Sequence, residues 1–157
     1  MAQRRLLKEF QELKKQNVQT LSNQPDYIQL QPHPSNMMQW TASFEGPEDT
    51  PYEGGKFHIK LTVPSQYPIQ PPKASFVTPV FHPNVHFKTG EICLDILKET
   101  WSPAWTLLTV CRAIRSLLGA PEADSPLNCD AGNLLRYGDE RGFKSMASMY
   151  TKLHAKK

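Results

Sequence analysis

The sequence has no long apolar run. No stretch approaches the roughly 18 consecutive apolar residues that suggest a membrane span, so direct membrane insertion is not expected. The opening MAQRRLLKEF lacks the apolar core of a secretory signal, and the closing HAKK is not an SKL-type address. These absences predict a cytoplasmic protein, unless a partner tethers it. Cysteine is scarce, at Cys93, Cys111 and Cys129. An odd number without a signal peptide argues against a disulfide framework and leaves at least one thiol free. The Cys and His residues show no paired ligand spacing, so no metal site is expected. There is no P-loop, CxxC, GxSxG or HExxH, and no repeat or linker. A net charge of +3, with no aromatic-rich basic face, gives no reason to expect nucleic acid as a partner.

What is present reads as one α+β domain over residues 1–157. Ala2–Gln16 reads as an amphipathic helix, with Leu6, Phe10 and Leu13 at helical spacing, Leu7 beside them, and Arg4, Arg5 and Lys8 on another face. Arg5 with Glu9 and Lys8 with Glu12 are placed to pair at i, i+4. A polar stretch, Asn17–Pro25, precedes a short strand at Tyr27–Leu30 and a turn at Gln31–Pro34. From Met38 the period becomes two: Met38, Trp40, Ala42 and Phe44 alternate with polar residues, as do Phe57, Ile59, Leu61 and Val63. Lys73–Val77 fits a fourth strand. Short links favour an antiparallel meander. Thr78–Pro103 has no long period and reads as a functional loop. Helices return with Leu107, Val110, Cys111, Ile114, Leu117 and Leu118 on one face, stopping at Gly119 and Pro121. Asp130 is placed to cap a short helix ending near Gly138. Asp139 is placed to cap the last, whose face is Phe143, Met146, Tyr150 and Leu153.

The informative segment is FHPNVHFKTGEICLDILKETWSPAW, with HPN, a cysteine nine residues after the Asn, and a Trp-Ser-Pro turn. A thiolate is both a nucleophile and a leaving group, which suits a covalent acyl carrier. Cys93 has that chemistry, or is a buried small hydrophobe between Ile92 and Leu94. Asn84 is placed either to stabilise an oxyanion or to brace the loop through backbone groups. His82 reads more readily as a packed, hydrogen-bonded residue than as a base for Cys93. Cys111 falls on the apolar helix face. Cys129 is spare, or pairs with Cys111.

The chain resembles the ubiquitin-conjugating (E2) family over about Met1–Leu153. The pieces that carry the resemblance occur in family order: RRLLKEF, Trp40 with FEGPEDTPYEGGKF, YPIQPPK, FHPN, GEICLDIL, WSPA, and SLLGAPEADSPLN. The resemblance implies the family fold: an N-terminal helix, a four-stranded antiparallel sheet and three C-terminal helices. It implies that Cys93 takes ubiquitin as a thioester from an activating (E1) enzyme, which uses the ATP and Mg; no cofactor is implied here. A RING ligase would then direct transfer to a substrate. Asn84 matches the oxyanion-loop position, His82 and Pro83 its structural neighbours, and Asp95 the acidic position after the cysteine. Arg4, Arg5 and Lys8 match the E1-docking face, and Ile69, Pro103 and Ala104 the loops that ligases grip. Bound ubiquitin would fold back onto the helix around Arg112 and Arg115.

Some positions depart from the family pattern. The Asn84–Cys93 loop is slightly longer. Ile69 stands where many members have Phe. Ser125 occupies a catalytic position often held by Asp, with Asp124 beside it. The stretch before Trp40 is longer, making Thr20–Leu30 a possible docking surface. Within the family, GEICLDILKETW and DSPLNCDAGNLLRYGD are similar to fungal peroxisomal members. That likeness implies recruitment by a membrane-anchored peroxin to the cytosolic face of the peroxisome. There the chain would tag the matrix-protein import receptor, on cysteine, for recycling. The alternatives are an E2 for other substrates or another ubiquitin-like modifier, and a non-catalytic adaptor of the same fold.

Overall fold

Apolar residues three and four apart form α1, Ala2–Lys14, and bury one stripe of it. Leu6 is fully buried, and Phe10 meets Trp40 edge-on at 6.0 Å. Leu7 falls outside the stripe and is exposed. Arg5 pairs with Glu9 at 2.9 Å. The expected Lys8–Glu12 pair is absent, because Glu12 turns to Lys15 at 3.2 Å. The computed structural model describes residues 1–16 and 18–157. Asn17, at the head of the expected polar stretch, lies outside the described residues; within that stretch Val18–Leu21 form a short helix, α2.

Four strands follow: β1 (Gln29–His33), β2 (Asn36–Glu45), β3 (Lys56–Thr62) and β4 (Lys73–Phe76). They form an antiparallel meander in the order β1-β2-β3-β4. The expected turn at Gln31–Pro34 is instead mostly strand, since Gln31 and Pro32 pair with Thr41 and Trp40. Proline is tolerated there because β1 is an edge strand. Alternation buries Trp40, Ala42 and Phe44 of β2 with Phe57, Ile59 and Leu61 of β3. Phe44, Phe57 and Phe76 meet ring to ring with centroids 6.1–6.3 Å apart.

Three helices complete the core: α3 (Leu107–Leu118), α4 (Cys129–Arg136) and α5 (Glu140–His154). Thr106 and Thr109 cap α3 reciprocally. Its buried stripe carries all six apolar residues expected there, Cys111 included. Asn128, not Asp130, caps α4: its Oδ1 accepts from the Ala131 N–H at 3.1 Å. Asp130 lies inside the first turn, where its charge suits the helix dipole. Cys129 is therefore the first residue of α4. Asp139 caps α5, accepting from the Gly142 N–H at 2.8 Å. The buried face of α5 runs Phe143, Ala147, Thr151, a spacing of four that turns Leu153 outward to 60% exposure.

Candidate active site

The segment that showed no period is ordered by a short antiparallel ladder and the edge of β4. Val85 bridges Ile92, the His86 N–H donates to Glu91 O at 2.9 Å, and the Cys93 N–H donates to Asn84 O at 2.8 Å. The Phe76 N–H donates to Gly90 O at 2.8 Å, and Ser75 bridges Glu91, fixing the hairpin to β4. Gly90 has a left-handed φ of +75°, and a Cβ there would sit 2.0 Å from Phe76 O. Only glycine satisfies both demands. This hairpin brings Asn84 and Cys93 together across nine residues.

Cys93 is half-buried and free, and follows buried Ile92. Cys111 is also free but fully buried, and burial pushes its thiol up to about 12, so it stays a protonated core residue. Cys129 is free and exposed, unpaired with Cys111. Asp95 opens a 3₁₀ turn, Asp95–Leu97, just after the cysteine. Its Oδ1 accepts from the Ile96 N–H at 2.9 Å and its carbonyl from Lys98 and Thr100, so it shapes the chain leaving Cys93.

His82 is buried beneath this hairpin. Nε2 donates to Leu117 O at 2.8 Å, and Nδ1 accepts from the Asn84 N–H at 3.0 Å. The second bond requires an unprotonated Nδ1, which fixes the tautomer. Burial lowers its pKa from the usual 6.5 to about 4. With both nitrogens engaged, His82 offers no base to Cys93. Pro83 has a different use: its carbonyl accepts from the N–H groups of Leu127 and Asn128, at 2.8 and 3.2 Å.

Asn84 is 2% exposed. Its Oδ1 accepts from the Glu122 N–H at 2.8 Å, and Nδ2 donates to Glu122 O at 3.0 Å. One Nδ2 hydrogen braces the loop, and the amide carries a second. Bracing and oxyanion donation are therefore compatible in one side chain. The Glu122 and Leu127–Asn128 bonds pin a loop at both ends, and exposed Ser125 lies between them. Ser125 has φ +55°, a left-handed backbone uncommon outside glycine and asparagine. Pro126 packs so close to α4 that a Cβ on Gly132 would lie 2.6 Å from its Cγ. Ser125 and Asp124 are thus presented from a fixed loop anchored on the HPN segment.

The expected docking cations separate. Arg4 and Lys8 are exposed, but Arg5 is half-buried. Arg5 Nε meets Glu9, while Nη2 donates to Pro103 O and Trp105 O, each at 2.9 Å. Ile69, Pro103 and Ala104 are all exposed, on two loops tied by the bond from Trp101 Nε1 to Pro68 O at 2.9 Å. Arg112 is exposed, while Arg115 donates to Glu45 O and Pro25 O and ties α3 to the sheet end. Sequence reasoning paired Glu9 with Arg5 but not with its further partners Tyr67 and Leu107, and it missed Tyr67, Tyr52 and Glu122. Tyr52 is fully buried, donates to Phe81 O at 2.6 Å, and supports the approach to His82. No local pattern signals these residues, because their partners are distant in sequence. Among the described residues no His, Cys, Asp and Glu cluster fits a metal, and no helix is long and apolar enough to cross a membrane.

Residues 5–151 match the profile of the family described as ubiquitin-conjugating enzyme. The chain is 60% identical to "Protein PEROXIN-4" of Arabidopsis thaliana, with 96% of this chain and 93% of that protein aligned. It is 53% identical to "Ubiquitin-conjugating enzyme E2 pex4" of Dictyostelium discoideum, over 96% and 97% of the two chains. The crystal structure of the H. polymorpha ubiquitin-conjugating enzyme Pex4p, in complex with the soluble domain of Pex22p, superposes with a TM-score of 0.90 at 36% identity. That match covers 99% of this chain and 98% of that one. Sequence, fold and the placement of the HPN segment against the cysteine lead to one assignment: the chain belongs to the ubiquitin-conjugating enzyme family and is an E2 enzyme.

Proposed function

We propose that this chain carries ubiquitin as a thioester on Cys93 and passes it, with a RING ligase, to the peroxisomal matrix-protein import receptor. The observation that carries the reading is the half-buried thiol at the end of a pinned hairpin, its N–H held by Asn84. The Cys93 thiolate attacks the thioester carbonyl on the activating enzyme, whose own cysteine leaves as thiolate. ATP and Mg act at that enzyme, before this step. In transfer, the acceptor nucleophile attacks the Cys93-bound carbonyl. An oxyanion forms, and Cys93 departs as thiolate. The spare hydrogen of Asn84 is the candidate oxyanion donor. Ser125, in place of the usual aspartate, gives less help in deprotonating an incoming lysine. A cysteine acceptor, with an ordinary pKa of about 8.5 against about 10.4 for lysine, needs less.

The peroxin names of the relatives support the peroxisomal role. A partner like the soluble Pex22p domain would hold the chain at the organelle's cytosolic face. Tyr137, 84% exposed, lines a groove of about 640 Å³ with Phe87, Leu134 and Tyr150, which offers such a partner an aromatic anchor. Tyr137→Ala is expected to weaken binding of a Pex22-type soluble domain at least tenfold by calorimetry, with charging unchanged.

The reading is tested by mixing the chain with activating enzyme, ubiquitin and Mg-ATP. A reductant-sensitive ubiquitin adduct is expected, absent in Cys93→Ala and converted to a reductant-resistant ester in Cys93→Ser. No adduct on the folded chain, beside a control E2 that charges, would reject it. Adding the import receptor and its ligases should give a product that thiol reductant cleaves if the acceptor is cysteine.

A further inference from the structure

The Glu9 carboxylate has a place in the molecule that the proposed chemistry does not require. Its side chain is only 10% exposed. Oε2 accepts from Arg5 Nε at 2.9 Å and from the Tyr67 hydroxyl at 2.6 Å. Oε1 accepts from the Leu107 N–H at 2.8 Å, at the first residue of α3, where the helix dipole favours an anion. Arg5 extends the same network to the Pro103 and Trp105 carbonyls and lies 5.7 Å from the Tyr67 ring centre. Tyr67 sits within the turn that exposes Ile69, and its ring faces Trp101 at 6.1 Å. One carboxylate and one guanidinium therefore join α1 to both loops that carry Ile69, Pro103 and Ala104.

Other polar bonds in the two loops are local to each: the Tyr67, Ile69 and Gln70 N–H groups donate to the Pro64 and Gln66 carbonyls, and the Ala104 and Trp105 N–H groups to Ser102. The link from Trp101 Nε1 to Pro68 O fixes the loops to each other. The Arg5–Glu9 couple fixes that pair to the body of the protein. Charge-assisted bonds in a half-buried site are directional and hold a geometry more tightly than neutral contacts do. We propose that Arg5 and Glu9 are positioning residues: they set the spacing of the two ligase-facing loops, and so govern the response to a ligase rather than the loading of Cys93. This rests on the E2 reading given above, in which Ile69, Pro103 and Ala104 meet the ligase. Exposed Arg4 and Lys8 then supply the free charge of α1 for the activating enzyme, while Arg5 faces inward.

Glu9→Gln tests this with little change of shape. It removes the anion and turns an acceptor oxygen into an NH₂ that faces a donor. Single-turnover charging by the activating enzyme should stay within about twofold of wild type. Discharge onto free cysteine without ligase should also be unchanged. In titrations of a RING domain selected because it speeds wild-type discharge, the half-maximal concentration should rise roughly ten- to a hundred-fold, as a small misplacement of a docking element can cost. The maximal rate should change less. Tyr67→Phe, which deletes one donor to Glu9, should shift the same concentration in the same direction by a smaller factor. Arg5→Lys should restore part of what Arg5→Ala loses. An unchanged RING titration in Glu9→Gln and Tyr67→Phe overturns the proposal. So does charging that falls by the same factor as the ligase response. If Glu9→Gln does not fold, Tyr67→Phe decides alone. A wild-type chain that takes no ubiquitin overturns the E2 carrier reading and this inference with it, whereas normal charging with a flat ligase response overturns this inference only.

Discussion

Asn84→Ala is expected to slow transfer of ubiquitin from Cys93 by about 100- to 1,000-fold, the usual cost of removing one oxyanion donor. The variant also loses the reciprocal pair with the Glu122 backbone. That second loss leaves one N–H and one carbonyl without their partner, at a cost of about 1–3 kcal/mol each at most, less where water reaches them. The two effects separate experimentally. Bracing acts on stability, so it lowers the urea midpoint and perturbs charging and discharge alike. Oxyanion donation acts in the transition state, so it lowers the maximal rate of discharge at saturating acceptor. A discharge rate that falls no further than the stability loss explains would leave Asn84 as a brace alone. Thioester chase assays at saturating free cysteine, beside urea unfolding of the same samples, give both numbers.

Acid should unfold this protein earlier than its carboxylates alone would predict, through His82. The folded chain protonates His82 near pH 4, whereas an unfolded histidine titrates near 6.5. Between these values the unfolded state binds a proton that the folded state does not. The associated stability is therefore complete above about pH 6.5, declines as pH falls through the window from 6.5 to 4, and is absent below it. The whole span corresponds to about 3 kcal/mol, and about 2 kcal/mol of it is gone by pH 5, before most carboxylates titrate. His82→Gln, which cannot titrate, should be less stable at pH 7 but should lose little between pH 7 and pH 5. Parallel acid slopes for the two proteins would show that His82 is not the sensor. The functional corollary is local: protonation breaks the Nδ1 bond to the Asn84 N–H, so the residue beside Cys93 is released first.

The parts of this fold legible in sequence are those with a period. The buried stripe of α3 and the alternation of β2 and β3 follow directly from spacing. The β1 register was obscured because Pro32 reads as a turn unless its strand is known to lie at an edge. The cap of α4 is ambiguous in sequence because Asn128 and Asp130 are both good caps, and local propensity does not choose between them. The candidate site was legible as chemistry but not as geometry. HPN and Cys93 mark the segment, yet the hairpin that joins them has only one bridged pair of its own. It depends on Gly90 fitting against Phe76, fourteen residues upstream. Arg5 shows the limit most clearly. Its i, i+4 partner could be read from the sequence, but its bonds to Pro103 and Trp105 span about a hundred residues, and they turn an expected surface cation inward.

The hairpin's attachment to β4 also bears on how this protein behaves in a crowded cell. A four-stranded meander has two open margins, and each is a row of unpaired backbone groups ready to recruit a foreign strand. Here Pro32 and the register shift beside it blunt one margin. Bonds from Phe76 and Ser75 to Gly90 and Glu91 close the other with the segment that carries Cys93. The segment that carries Cys93 thus doubles as a guard against self-association. A lesion that loosens it would cost solubility as well as activity, so aggregates of such variants should be rich in intermolecular β-structure grown from the β4 side.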